Sequence, residues 1–329
     1  MSTLLDAPLP ERTVSRVLDT CLGICKDERV VLLSDPGSDL AVVAGLAEGL
    51  RERGAIPLIR TLTEIPMPGA EPPARIAEEL ANAAAGIELT SAFIGSSKAR
   101  QEACRQGTRY LSMPAVIADT FRLGGPYDVD FDEIATTVMA LARAWEEADT
   151  YRITTPAGTD LFGSVRGRKG RALTGVAREP GAYMAPPDIE SGTAPVELSS
   201  EGTVVIDGDF LFMGPGPVAS PVTLDIREGA LRATEGDEAA RLLEMIARCD
   251  DPRMGNLAEV SVGLNPQGSV CAVPMETEST KGSAHIAFGN SIAYGGTVNA
   301  VAHLDCVMQD ATVHLDGVPR IVGGELVEP

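Results

Sequence analysis

Through residue 150, short apolar runs alternate with stretches of helical period, and this alternation narrows the fold more than any other property of the chain. "RVVLL", the turn "SDPGSD", the helical "LAVVAGLAEGLRERG" and a second run "IPLIR" follow one another directly. "TSAFIG", "ARQEACRQG" and "RYLSM" continue the pattern, and the helical "FDEIATTVMALARAWEEAD" closes it. Apolar strands separated by helices pair in parallel, because each crossover helix returns the chain in the same direction and covers a sheet face. From 151 the pattern changes: "EGTVVIDGDFLF", "SPVTLDIREGAL", "AEVSVGLNP", "AHIAFG", "VAHLDCVM" and "TVHLDG" are strand-like, with one helix, "GDEAARLLEMIARC", among them. Strands in succession form hairpins rather than crossovers. The expected architecture is an α/β N-terminal domain with a parallel sheet over 1–150, followed by an α+β C-terminal metal-binding domain over 151–329.

Composition removes several classes of function. Hydrophobic residues make up 44% and charged residues 22%, the proportions of a folded globular chain. A formal net charge of -20 repels phosphate backbones and anionic lipid, so neither nucleic acid nor a membrane is an expected partner. No apolar run approaches the ~20 residues of a spanning helix, and a cytoplasmic location is expected. The six cysteines are scattered without a CxxC pair, as in a reduced environment.

The chain has three histidines, and two of them, His285 and His303, fall in one glycine-broken stretch. In "AHLD" the period of two puts His303 and Asp305 on one face of a strand. The 18-residue connection from His285 lets its strand lie alongside. One HxD is a weak signal alone, since most histidines coordinate nothing, but an imidazole pair with a carboxylate suits Zn, Mn, Co or Fe(II). His314 repeats the "HLD" letters before a turn and is read as structural. No GxSxG, Walker loop or GxGxxG is present. The basic run "SVRGRKGR" holds Arg166, Arg168, Lys169 and Arg171, and Arg166 and Arg168 are candidates to clamp a substrate carboxylate.

"DIESGTAPVELSSEGTVVIDG" (188–208), "GNLAEVSVGLNP" (255–266), "KGSAHIAFGN" (281–290) and "VAHLDCVM" (301–308) together resemble the ordered motif blocks of the aminopeptidase T/S type metallopeptidases. The resemblance implies a hydrolase acting on a peptide or small amide through a metal-activated water. It implies two divalent ions (Zn, Mn or Co) held by Glu190, Glu259, His285, His303 and Asp305, and a homo-oligomer such as a homodimer. Glu278 is the candidate acid or base, and Tyr294 stands nearest to the family's tyrosine, which is out of register here. The same superfamily pattern resembles 2,5-dihydroxypyridine 5,6-dioxygenase, a mononuclear Fe(II) ring-cleaving enzyme, for which His285, His303 and Asp305 would be the facial set. In that dioxygenase the position matching Glu259 is a histidine, and those matching Glu190 and His285 are not ligands. The hydrolase is therefore the leading expectation and the Fe(II) dioxygenase the alternative.

Overall fold

A computed structural model describes residues 8–327. The chain divides into two units, one formed by residues 1–133 and 174–188, the other by residues 134–173 and 189–329. The chain thus passes between units three times, where the composition change suggested one passage near 150.

The first unit is built on a five-stranded parallel sheet, in the order Ile56–Thr61, Arg29–Ser34, Ala85–Glu88, Arg109–Ser112, Tyr183–Met184. Val30 to Leu33 are fully buried, as a strand covered on both faces must be. The helix Leu40–Glu52 starts at Asp39, whose carboxylate accepts from the Ala41 amide at 2.9 Å and satisfies one of the donors a helix leaves open. One expected strand lies earlier than its letters suggested: the third strand is "AGIE", and "TSAFIG" forms the loop after it. Burial decides this, because Ala85–Glu88 is enclosed between two neighbouring strands.

That loop folds over Glu88, which is fully buried at the end of its strand. The carboxylate accepts from the Ile94 amide (2.7 Å), the Ser112 hydroxyl (2.9 Å) and, more distantly, Thr90 and Tyr110 (3.3 Å each). Burial outweighs these bonds and pushes its pKa up to about 7 from 4.5. Between those two values the folded chain keeps a proton that the unfolded chain has lost, so stability falls as pH rises through the window. The loss is about 3 kcal/mol at ~1.4 kcal/mol per unit. Glu88→Gln is expected to flatten the unfolding free energy between about pH 4.5 and 7, measured by urea denaturation across that range.

In open α/β sheets the crevice beyond the strand ends, where strand order reverses, is where anionic ligands bind. Here Asp35 fills that place: its carboxylate accepts from the amides of Gly37 (2.7 Å) and Ser91 (2.8 Å) and from the Ser91 hydroxyl. The amides a phosphate would use are committed to a side chain of the protein itself.

The second unit holds two antiparallel sheets. One has eight strands; the other has five, in the order His303–Met308, Ala284–Gly289, Leu257–Gly263, Glu190–Thr193, Arg171–Leu173. The helix Ala239–Cys249 is present as expected. A parallel sheet with additional antiparallel sheets is therefore the observed class. Among the described residues no helix is long and apolar enough to cross a membrane.

Candidate metal centre

Register in the five-stranded sheet gathers the candidate residues. Directly opposed residues share a face, and the pairs Leu173↔Glu190, Glu190↔Gly263, Gly192↔Ser261, Ser261↔His285, Glu259↔Ala287, Ala287↔Asp305 and Gly289↔His303 run across all five strands. One face therefore carries Glu190, Glu259, His285, His303 and Asp305, while Val260, Val262, Ile286, Phe288, Leu304 and Cys306 point to the other and are buried. The residues between the acids and imidazoles are small. At Gly192 a Cβ would lie 1.8 Å from the Ser261 hydroxyl, so any side chain there would displace Ser261.

Three groups of donors form on this face, each with its ligand atoms within 4.8 Å of one another: Glu190, Glu259 and His285; Glu259, His303 and Asp305; Glu278, His285 and Asp305. All five expected ligands and Glu278 are thus brought together, from segments that lie up to 115 positions apart (305 minus 190). The facial set of His285, His303 and Asp305 is not among these groups, among the described residues. The reason is register: His303 opposes Gly289, four positions from His285, or roughly 13 Å along a strand at ~3.3 Å per residue. Glu259 reaches between the two rings instead. Its Oε1 lies 3.5 Å from His285 Nε2 and its Oε2 lies 2.9 Å from His303 Nε2.

Glu190, Glu259 and His285 are at most 1% exposed, whereas His303 and Asp305 side chains keep 23% and 17% of their surface, so the site opens on that side. The Ser261 hydroxyl donates to Glu259 Oε1, leaving Oε2 to face His303. His303 Nδ1 sits 2.7 Å from the carbonyl oxygen of Asn290. A carbonyl only accepts, so Nδ1 carries the proton. Nε2 then faces Glu259 Oε2 at 2.9 Å and Asp305 Oδ1 at 3.2 Å. Either a proton is shared between Nε2 and these carboxylates, or a cation lies among the three atoms.

Without a cation, protons do this work. Burial opposes charge on His285 and His303, but Glu190 and Glu259 outweigh it for the first and Asp305 and Glu259 for the second, raising both rings well above the ordinary imidazole range. Burial raises Glu190, whereas at Glu259 the two imidazoles overcome burial and hold the carboxyl below its usual range. Glu190 Oε2 is buried without a hydrogen bond, although His285 Nε2 is 2.9 Å away. Separations of 2.9 to 3.5 Å among these atoms match ligands about 2.0–2.2 Å from a shared ion, which lie about 3.0–3.5 Å apart. The donor set fits a divalent metal.

Tyr294 lies on His303, ring centroids 4.9 Å apart and planes at 7°. The two arginines expected to clamp substrate are committed elsewhere. Arg166 forks onto Asp149 at 3.0 and 2.9 Å; Arg168 pairs with Glu197 and donates to the carbonyl of Gly295 at 2.8 Å. Arg171, the last cation of the same run, is the one that reaches the site, with its guanidinium 4.3 Å above the Tyr294 ring. Cys306 beside Asp305 is fully buried, and burial drives its thiol far above the ordinary range, so it is an inert core residue. His314 belongs to the eight-stranded sheet.

Comparison with solved structures shows the same fold twice over nearly the full chain. 2,5-Dihydroxypyridine dioxygenase from Pseudomonas putida superposes with a TM-score of 0.79 at 20% identity, covering 97% of both chains. Wild-type AmpT from Thermus thermophilus superposes with a TM-score of 0.69 at 17% identity, covering 97% of this chain and 98% of that one. In sequence, the 2,5-dihydroxypyridine 5,6-dioxygenase of Pseudomonas putida is 24% identical over 268 residues, spanning 77% of this chain and 74% of its own. A model of the 2,5-dihydroxypyridine 5,6-dioxygenase family matches residues 12–328. These matches overturn the expectation of an aminopeptidase-like hydrolase cutting peptides or amides: AmpT shares the fold, but the family is the dioxygenase's. On a match that runs almost from end to end, the chain belongs to the 2,5-dihydroxypyridine 5,6-dioxygenase family.

Proposed function

We propose that this chain is a ring-cleaving dioxygenase that uses one Fe(II) to open a small dihydroxylated nitrogen heteroaromatic of the 2,5-dihydroxypyridine kind. The observation that carries the reading is the Glu259, His303, Asp305 group, a three-donor set open on the His303 and Asp305 side, in a chain of that family. Three ligands with open positions are what a non-haem iron oxygenase needs, so that substrate and dioxygen both reach the ion. Here the set has one imidazole and two carboxylates rather than two imidazoles, which makes it harder and more negative. A bound ferrous ion supplies one-electron chemistry toward dioxygen and a Lewis-acidic seat for a substrate oxygen.

The protein's own groups have separate tasks. Asn290 fixes the His303 tautomer with Nε2 toward the ion, and Ser261 holds Glu259 by its other oxygen. His285 lies between Glu190 and Glu259, 2.9 and 3.5 Å from their oxygens, and holds both carboxylates in place behind the site. Glu278, 6% exposed and grouped with His285 and Asp305, is our candidate to take a hydroxyl proton from the bound substrate. The test is anaerobic loading with Fe(II), followed by addition of 2,5-dihydroxypyridine in air. The expected result is dioxygen uptake matched one to one by loss of the aromatic absorbance; substrate that survives with no uptake sinks the reading.

A further inference from the structure

Arg171 is assigned no role by the family resemblance, yet it connects to the site through a stack. Arg171 opposes Gly192 in the sheet, on the face that carries Glu190 and Glu259. Its guanidinium lies 4.3 Å from the Tyr294 ring centroid, and its Nη1 donates to the carbonyl of Ala293 at 2.5 Å. Tyr294 in turn lies flat on His303. Tyr294 ends a three-residue 3₁₀ turn, Ile292–Tyr294, and is followed by Gly295 at φ 86. A single turn of this kind has little stiffness of its own. Arg171 grips it twice, by the ring and by the backbone.

We propose that Arg171 is a positioning residue for the metal: with Tyr294 it forms a stacked bracket that fixes the plane of the His303 ring. The Asn290 carbonyl sets which nitrogen is protonated, but contacts at the two ring nitrogens leave the ring free to tilt about the line that joins them. A parallel aromatic face removes that tilt, and a guanidinium lying over the same aromatic ring holds it in place by its charge. The extended fork suits this role, because a compact ammonium cannot both lie over the ring and hold the Ala293 carbonyl. The inference rests on His303 being a metal ligand.

The test uses Co(II) alone as probe, with affinity from competition against a chromophoric chelator and ligand geometry from the visible spectrum. Arg171→Gln and Arg171→Lys are each expected to weaken Co(II) binding about 10–100-fold, the usual cost of losing an outer partner of a ligand, and to alter the visible bands. Tyr294→Ala removes the ring and is expected to weaken Co(II) binding by a similar factor; wild-type affinity in that variant overturns the bracket as well. Melting of the metal-free proteins checks that both arginine variants are folded. Wild-type affinity in Arg171→Gln overturns the bracket, and full affinity in Arg171→Lys shows that charge alone suffices and overturns the stacking role. If the wild type itself takes up no Co(II), the ligand assignment of His303 fails first and the bracket with it.

Discussion

His303→Ala is expected to empty the metal site and lower turnover of the dihydroxypyridine by about a thousandfold or more, equivalent to about 4 kcal/mol of transition-state stabilisation. The size follows from position. His303 is the one imidazole in the Glu259, His303, Asp305 group, and the Asn290 carbonyl has already fixed its tautomer for coordination. Removing it leaves two carboxylates, which hold a ferrous ion weakly and from one side. Asp305→Ala is expected to do the same, because Asp305 is one of the two carboxylates of the group and lies on its more exposed side. Metal content per chain and initial rate are the measurements; either variant keeping both iron and rate removes the proposed set.

The largest stability effect is expected at His285→Ala in the metal-free protein. His285 is 1% exposed and is the cation between Glu190 and Glu259, themselves 1% and 0% exposed. Truncating one partner of a buried charge cluster strands the others, a loss of about 3–5 kcal/mol. Much of that would be recovered if Glu190→Gln were added, since the stranded charge is then removed as well. Chemical denaturation of the single and double variants checks this, and a single variant as stable as the parent would show that His285 carries no charge there.

How far the letters alone led depended on whether the information was local. His285, His303 and Asp305 were legible because strand period and adjacency are short-range, and the structure pairs their strands directly. Glu190 and Glu259 stand out only through the resemblance: nothing in "ESGT" or "LAEVSVG" sets either acid apart, and only cross-strand register puts them on the imidazole face. Arg171 was indistinguishable from its neighbours in "SVRGRKGR", since a run of cations does not disclose which of them a sheet will point inward. The return of 174–188 to the first unit hangs on the two-residue strand Tyr183–Met184, too short to leave a periodic trace.

The reaction class was the least legible, and for a physical reason. AmpT and the Pseudomonas putida dioxygenase share this fold with the present chain. Fold does not dictate chemistry. Acids and imidazoles on one sheet face can hold a divalent cation for either chemistry; which ion, and whether it activates water or dioxygen, depends on the number of ligands and the open positions.

The origin of the oxygen in the product separates those chemistries most directly. With Fe(II)-loaded protein and 2,5-dihydroxypyridine under labelled dioxygen in ordinary water, mass spectrometry of the ring-opened product is expected to show both labelled atoms. A product carrying oxygen from water alone, formed without dioxygen uptake, would contradict the account.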